Sequence, residues 1–160
     1  MPVTFPSIAF FEALRDAMRD GEERFRRLGF FDTRFGIRVT DAAPAPFEAT
    51  LAFEVFDCVG VEPTLCDTDF VLEGSLTAWR EMLDAIHALG AADTAHSINT
   101  LTHFGEGLQL RYDDPDGHDK LYRFAESIQQ YFDLSAGVDF AYPDGARPPA
   151  LREPARRSGT

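Results

Sequence analysis

The stretch from Asp67 to Leu89 reads DTDFVLEGSLTAWREMLDAIHAL, and a change of period within it decides the fold. Phe70, Val71 and Leu72 form an apolar run with the aromatic and β-branched content of a buried strand, which Glu73-Gly74-Ser75 stops. After Ser75 the apolar residues Leu76, Trp79, Met82, Leu83, Ile86 and Leu89 return every three or four positions and lay one stripe along a helix. Ser75 is the N-cap candidate, because its hydroxyl can accept from a first-turn N–H that lacks a partner inside the helix. A strand therefore feeds a helix around Gly74, and both apolar faces turn to one core.

Working outward, Phe31, Thr33, Phe35, Ile37 and Val39 alternate with polar or small residues, as a half-buried strand does. Pro44 and Pro46 mark a loop, since each lacks a backbone donor and pushes the residue before it extended. Phe47, Ala49, Leu51, Phe53 and Val55 then alternate again, so the two runs read as an antiparallel meander with one buried face. Residues 59–65 are expected to be an irregular edge or a short strand. Toward the N-terminus, Ile8, Phe11, Leu14, Met18, Phe25 and Leu28 give an amphipathic helix capped by Ser7 and bent or broken at Gly21. On the far side, Leu108, Leu110 and Tyr112 alternate as a last strand that the turn 113–117 stops. From Asp119 on, Leu121, Phe124, Ala125, Ile128, Tyr131 and Phe132 line one side of a helix.

Asp69, Phe70, Leu72 and Gly74, followed by Trp79, Met82 and Leu83, resemble the sterol carrier protein 2-like lipid-binding family. In that family a strand of the form D-F-x-L-x-G precedes a helix with an aromatic residue and a Leu or Met pair. The order of elements extends the resemblance from about Phe5 to Ala136, with an opening amphipathic helix and a closing strand and long helix. The resemblance implies an α+β domain with an antiparallel-dominated sheet of four or five strands and helices packed on one face. It also implies an apolar core or tunnel that binds or carries a fatty acyl chain, a sterol or a similar ligand without chemistry. The wall residues it implies are Phe35, Ile37, Phe53, Phe70, Leu72, Trp79, Leu83, Leu110, Phe124, Ile128 and Phe132. Two departures stand out: the turn 113–117 is longer than the family's short G-D turn, and the stretch 90–107 is longer than the family needs.

Composition narrows the alternatives. At 160 residues one domain is expected, over 1–142, followed by a Pro- and Arg-rich tail over 143–160 with no apolar period to order it. With 27 Asp and Glu against 15 Lys and Arg the formal charge is −12, which disfavours a nucleic acid partner and repels an anionic membrane. No apolar run approaches the ~20 residues of a membrane span, and the opening MPVTFPSIAF lacks the basic start and small-residue cleavage site of a signal peptide. A cytoplasmic protein without stable membrane insertion is expected, whose partner is an apolar small molecule, with a protein partner or a homo-oligomer as further options. The 15 Phe suit a thick core or a cavity wall equally well.

The chemistry-bearing residues form no established motif. Cys58 and Cys66 lack zinc-ligand spacing and read as small hydrophobes. Asp113, Asp114, Asp116 and Asp119 beside His118 do not fit an EF-hand loop, and they read as a cap and first-turn acids for the last helix. His87 reads as a residue at the boundary of the apolar stripe. His96 or His103, with Asp93, supplies the alternative: a small enzyme or an enzyme-partner domain with acid–base residues in the insert 90–107. No catalytic residue, metal site or cofactor is assigned from the sequence, since no nucleophile elbow, phosphate loop or zinc-protease motif is present.

Overall fold

The computed structural model describes residues 2–103 and 107–151, apart from the side chains at 94, 99 and 103. Its elements in chain order are β1 (Val3–Thr4), α1 (Ile8–Asp20), α2 (Glu22–Arg26), β2 (Thr33–Val39), β3 (Phe47–Glu54), β4 (Asp57–Glu62), β5 (Phe70–Gly74), α3 (Leu76–Leu89), α4 (Ile98–His103), β6 (Gln109–Arg111), α5 (Pro115–Arg123), α6 (Ala125–Asp133) and β7 (Phe140–Ala141). The alternating runs became neighbouring strands. β2 and β3 pair antiparallel with Phe35 opposite Leu51, and β5 lies parallel to β2 with Phe35 beside Phe70 and Ile37 beside Leu72. The sheet runs β4-β3-β2-β5-β6, and β1 and β7 form a separate two-stranded parallel pair.

Period two puts Phe35, Ile37, Phe53, Phe70 and Leu72 on one face, and α1, α3 and α6 cover it with Phe11, Leu14, Trp79, Met82, Leu83, Ile128 and Phe132, all buried in one cluster. Each such side chain contributes about 1.5–3 kcal/mol by leaving water. On the opposite face Gly36 lies under Leu65: a Cβ there would come within 2.5 Å of Leu65 Cδ2. The segment 63–68 is held to that face where Thr50 donates to the Thr64 carbonyl at 2.6 Å and accepts from the Cys66 N–H at 3.1 Å.

The helix caps follow the sequence. Ser7 accepts from the Phe10 N–H and Ser75 from the Ala78 N–H, both at 3.1 Å, and each cap stabilises its helix by about 1 kcal/mol. Gly21 separates α1 from α2, and Gly90 ends α3 in the left-handed conformation with φ 84°.

Three local expectations are corrected. The last helix begins at Pro115 rather than Asp119, with Asp114 as its cap, and it breaks into α5 and α6 at Phe124, whose φ of −109° leaves the helical range. Of the two expectations for residues 59–65, the short strand is found: β4 covers 57–62 at the sheet edge, with a register shift opposite Ala52 and Phe53. Val55 is not on the buried face: it adopts φ 61° at the β3–β4 turn and is 47% exposed. Leu89 is exposed as well, because it is the final residue of α3 before the Gly90 cap.

The tail, read as lacking anything to dock, has partners over 143–151. Arg80 pairs with Asp144 at 3.2 Å and lies 4.3 Å over the Tyr142 ring, and His87 Nδ1 sits 2.6 Å from the Pro149 carbonyl. Pro148 is buried and Leu151 lies near Gly90. The sequence pattern did not show these contacts because they rest on isolated groups, the polar Arg80 and His87 of α3 and the single apolar residues Pro148 and Leu151, rather than on an apolar period. Residues 152–160 lie outside the described residues.

Candidate functional site

The residues expected to wall an apolar site come together. Phe35 stacks between Phe53 and Phe70, with ring centres 5.5 and 5.1 Å away and planes within 8° and 5° of parallel. This stack follows from register, since the three residues occupy inward positions on the adjacent strands β3, β2 and β5. Phe132 of α6 closes over Phe35 at 6.4 Å and over Trp79 at 5.8 Å. The indole N–H of Trp79 donates to the Arg38 carbonyl at 3.1 Å, so the one buried polar atom of that ring is satisfied. Leu83 and Ile128 fill the same layer, buried, while Leu110 on β6 and Phe124 at the α5–α6 break, its ring 5.7 Å from Phe31, are only half-buried.

Members of the layer that the sequence reading did not select are Phe31, stacked on Phe53 at 4.3 Å, and Tyr131, edge-on to Phe53 at 4.9 Å. Both belonged to periodic stripes, and that was the available signal. Burial pushes the Tyr131 hydroxyl well up in pKa; it donates to the Phe11 carbonyl at 3.3 Å. Burial also pushes the Cys58 thiol up to about 11, so it behaves as a small hydrophobe rather than a nucleophile.

On the β6 side, Leu110 borders an open cleft of about 380 Å³ shared with Thr102, Gln109, Arg111, Tyr112, His118 and Tyr122. Here the His118 ring lies between two exposed tyrosines, 5.0 Å from Tyr112 and 4.8 Å from Tyr122. The acid-rich turn supplies the local structure: Asp114 accepts from the Asp116 N–H at 3.0 Å and starts α5, which carries His118 and Tyr122 into place.

Asp69, the first residue of the quoted motif, is a structural junction. Its carboxylate accepts from the Thr33 hydroxyl at 2.9 Å and the Arg34 N–H at 3.0 Å, and it pairs with Lys120 at 3.1 Å. Burial raises its pKa, but the Arg34 N–H, Lys120 and Thr33 outweigh burial and hold it below the usual carboxylate range.

Of the alternative acid–base residues, Asp93 and His96 meet at 2.6 Å. Asp93 also accepts from the His96 N–H and caps the short turn 94–96, so the pair has a structural role. It lies in a cleft of about 320 Å³ with Glu81, Asp84, Ala88 and Pro149, on the side of α3 opposite the stripe of Trp79, Met82, Leu83 and Ile86. The side chain of His103 lies outside the described residues. The insert is tied to α6 instead: buried Asp133 accepts from the Ala92 N–H at 3.1 Å and from Gln129 at 3.0 Å, and Gln129 accepts from the Ile98 N–H at 2.7 Å. Burial raises the Asp133 pKa despite these donors. Among the described residues no helix is long and apolar enough to cross a membrane.

Two solved structures share this architecture. A crystal structure of sterol carrier protein 2 superposes with a TM-score of 0.61 at 16% sequence identity, covering 81% of this chain and 95% of that one. A solution structure of a conserved hypothetical protein from Thermus thermophilus, described as a possible sterol carrier protein, also gives 0.61 at 16% identity, covering 84% of this chain and 90% of that one. At this identity the likeness establishes a shared fold. No protein-family model matches the chain, and no curated protein matches it.

Proposed function

We propose that the protein binds and carries an apolar ligand, a fatty acyl chain, sterol or similar molecule, between the sheet and its helices, without chemistry. The observation that carries this reading is the aromatic layer of Phe35, Phe53, Phe70, Trp79 and Phe132, which sits between sheet and helices in a fold shared with sterol carrier protein 2. Ile37, Leu72, Leu83 and Ile128 complete the wall. The ligand enters on the β6 side, where Leu110 is half-buried and borders the open cleft. Entry displaces ring–ring contacts that are each modest, about 0.5–1.5 kcal/mol, and the ligand replaces them with equivalent apolar contact.

Native mass spectrometry of the purified full chain, combined with solvent extraction, tests this reading. The expected result is a bound apolar molecule, or saturable 1:1 uptake of an acyl chain or sterol after delipidation. A protein that comes out empty and takes up none of these contradicts it and leaves the aromatic layer as a dry core.

A further inference from the structure

The cleft at the β6–α5 edge combines features that a dry structural surface does not need. Tyr112 and Tyr122 expose 47% and 43% of their surface although both rings have an aromatic neighbour. His118 between them, tilted 60° to Tyr112 and 53° to Tyr122, makes a cluster of three inclined rings. Arg111 projects beside them: its Nη2 donates to Gln109 at 2.5 Å and its Nε lies 3.5 Å from Glu73, while Nη1 meets no acceptor among the described residues. Acidic groups stand nearby: an Asp119 carboxylate oxygen lies 3.8 Å from His118 Nδ1, and the exposed Asp113 and Asp114 directly follow Tyr112 in the chain. The floor includes Leu110, which belongs to the apolar wall.

These features specify a charge pattern. A lone anion would meet Arg111 but also the field of three aspartates in a chain of net charge −12, and a lone cation would meet the guanidinium. A zwitterion satisfies both ends. Aromatic faces attract a quaternary ammonium within about 6 Å of the ring centre. A guanidinium with a free N–H matches a phosphate oxygen. We propose that this cleft holds a phosphocholine head group, with its phosphate on Arg111 and its trimethylammonium on the rings of Tyr112, His118 and Tyr122. The acyl chain of the same lipid then runs inward past Leu110. The proposal rests on the apolar-ligand reading for the chain and on the cleft alone for the head group. The cleft volume of about 380 Å³ accommodates such a group.

The test separates the two parts. The His118 ring resonances of the full chain are followed by NMR during titration with phosphocholine. Binding of lysophosphatidylcholine and of palmitate, each below its critical micelle concentration, is measured by calorimetry for the unaltered chain, Arg111→Gln and Tyr122→Leu. The expected result is a saturable phosphocholine shift at His118 and an about ten-fold loss of lysophosphatidylcholine affinity in each variant, with palmitate affinity unchanged. Equal affinity for both amphiphiles and indifference to both substitutions overturns the head-group site and leaves apolar carriage standing. A saturable phosphocholine shift that either substitution weakens, without any acyl-chain uptake, supports the head-group site and removes the interior ligand. No shift and no uptake removes both.

Discussion

Gly117 of α5 lies so close to the backbone of Asp69 that a Cβ at position 117 would stand 1.8 Å from the Asp69 carbonyl oxygen. The start of α5 thus rests directly on the residue that leads into β5, and only glycine permits that approach.

Gly117→Ala must therefore push α5 away from β5, because the opposing atom is backbone and cannot rotate aside. A loss of about 3 kcal/mol is expected in chemical unfolding. A variant within about 0.5 kcal/mol of the parent, on the order of ordinary surface substitutions, contradicts the close approach.

The same junction makes stability depend on acid. The folded-state pKa of Asp69 lies below its unfolded value, so its contribution is fully present above the ordinary Asp pKa and is lost as pH falls through the lowered folded value. Asp69→Asn keeps an acceptor for Thr33 and Arg34 but loses the charge facing Lys120. It is expected to cost about 1–2 kcal/mol at pH 7, and the gap should close as the parent's carboxyl takes up its proton. A gap that stays constant from pH 7 down through the acid transition counts against the assignment.

How much of this was legible in the sequence depends on the range of the interaction that decided each part. The strands around Phe35, Phe53 and Phe70 and the helix from Leu76 were readable because one buried face imposes a period on consecutive residues. The inward placement of most residues proposed as a wall was readable for the same reason. The break at Phe124 was not, since an apolar stripe continues across it unchanged. The β1–β7 pair is two residues long on each side, too short to show a period. The edge cleft joins Arg111 and Tyr112 of the last strand to His118 and Tyr122 of α5, and no spacing rule pairs residues across a turn whose geometry is set by Asp114 and Pro115.

Val55 is a β-branched residue in the left-handed region at φ 61°, exposed and at the tip of the β3–β4 turn. Its backbone is tied in place, with the Phe31 N–H donating to its carbonyl at 2.7 Å and its own N–H donating to Asp32 at 3.2 Å. Val55→Gly removes the side chain's conflict with this backbone and should raise stability by about 1 kcal/mol. Thermal unfolding measures it, and a loss of similar size would mean that the turn does not hold this conformation.

Truncation after Tyr142 removes Asp144 from Arg80 and the Pro149 carbonyl from His87 and uncovers the surface beneath Pro148. A loss of about 2 kcal/mol in thermal or chemical unfolding is expected. An unchanged transition would mean that 143–151 adds nothing to the fold.

Trp79 is the only tryptophan in the chain and lies fully buried between Phe5 and Phe132, with ring centres 6.4 and 5.8 Å away. Its emission reports on the aromatic layer alone. Titration of the delipidated full chain with palmitate, followed by Trp79 emission, tests apolar carriage most directly. The expected result is a buried-type spectrum that changes saturably at one ligand per chain, with Trp79→Ala costing about 3–5 kcal/mol of stability for the contacts now made there. A buried-type spectrum that no acyl chain or sterol alters at any concentration would contradict the account.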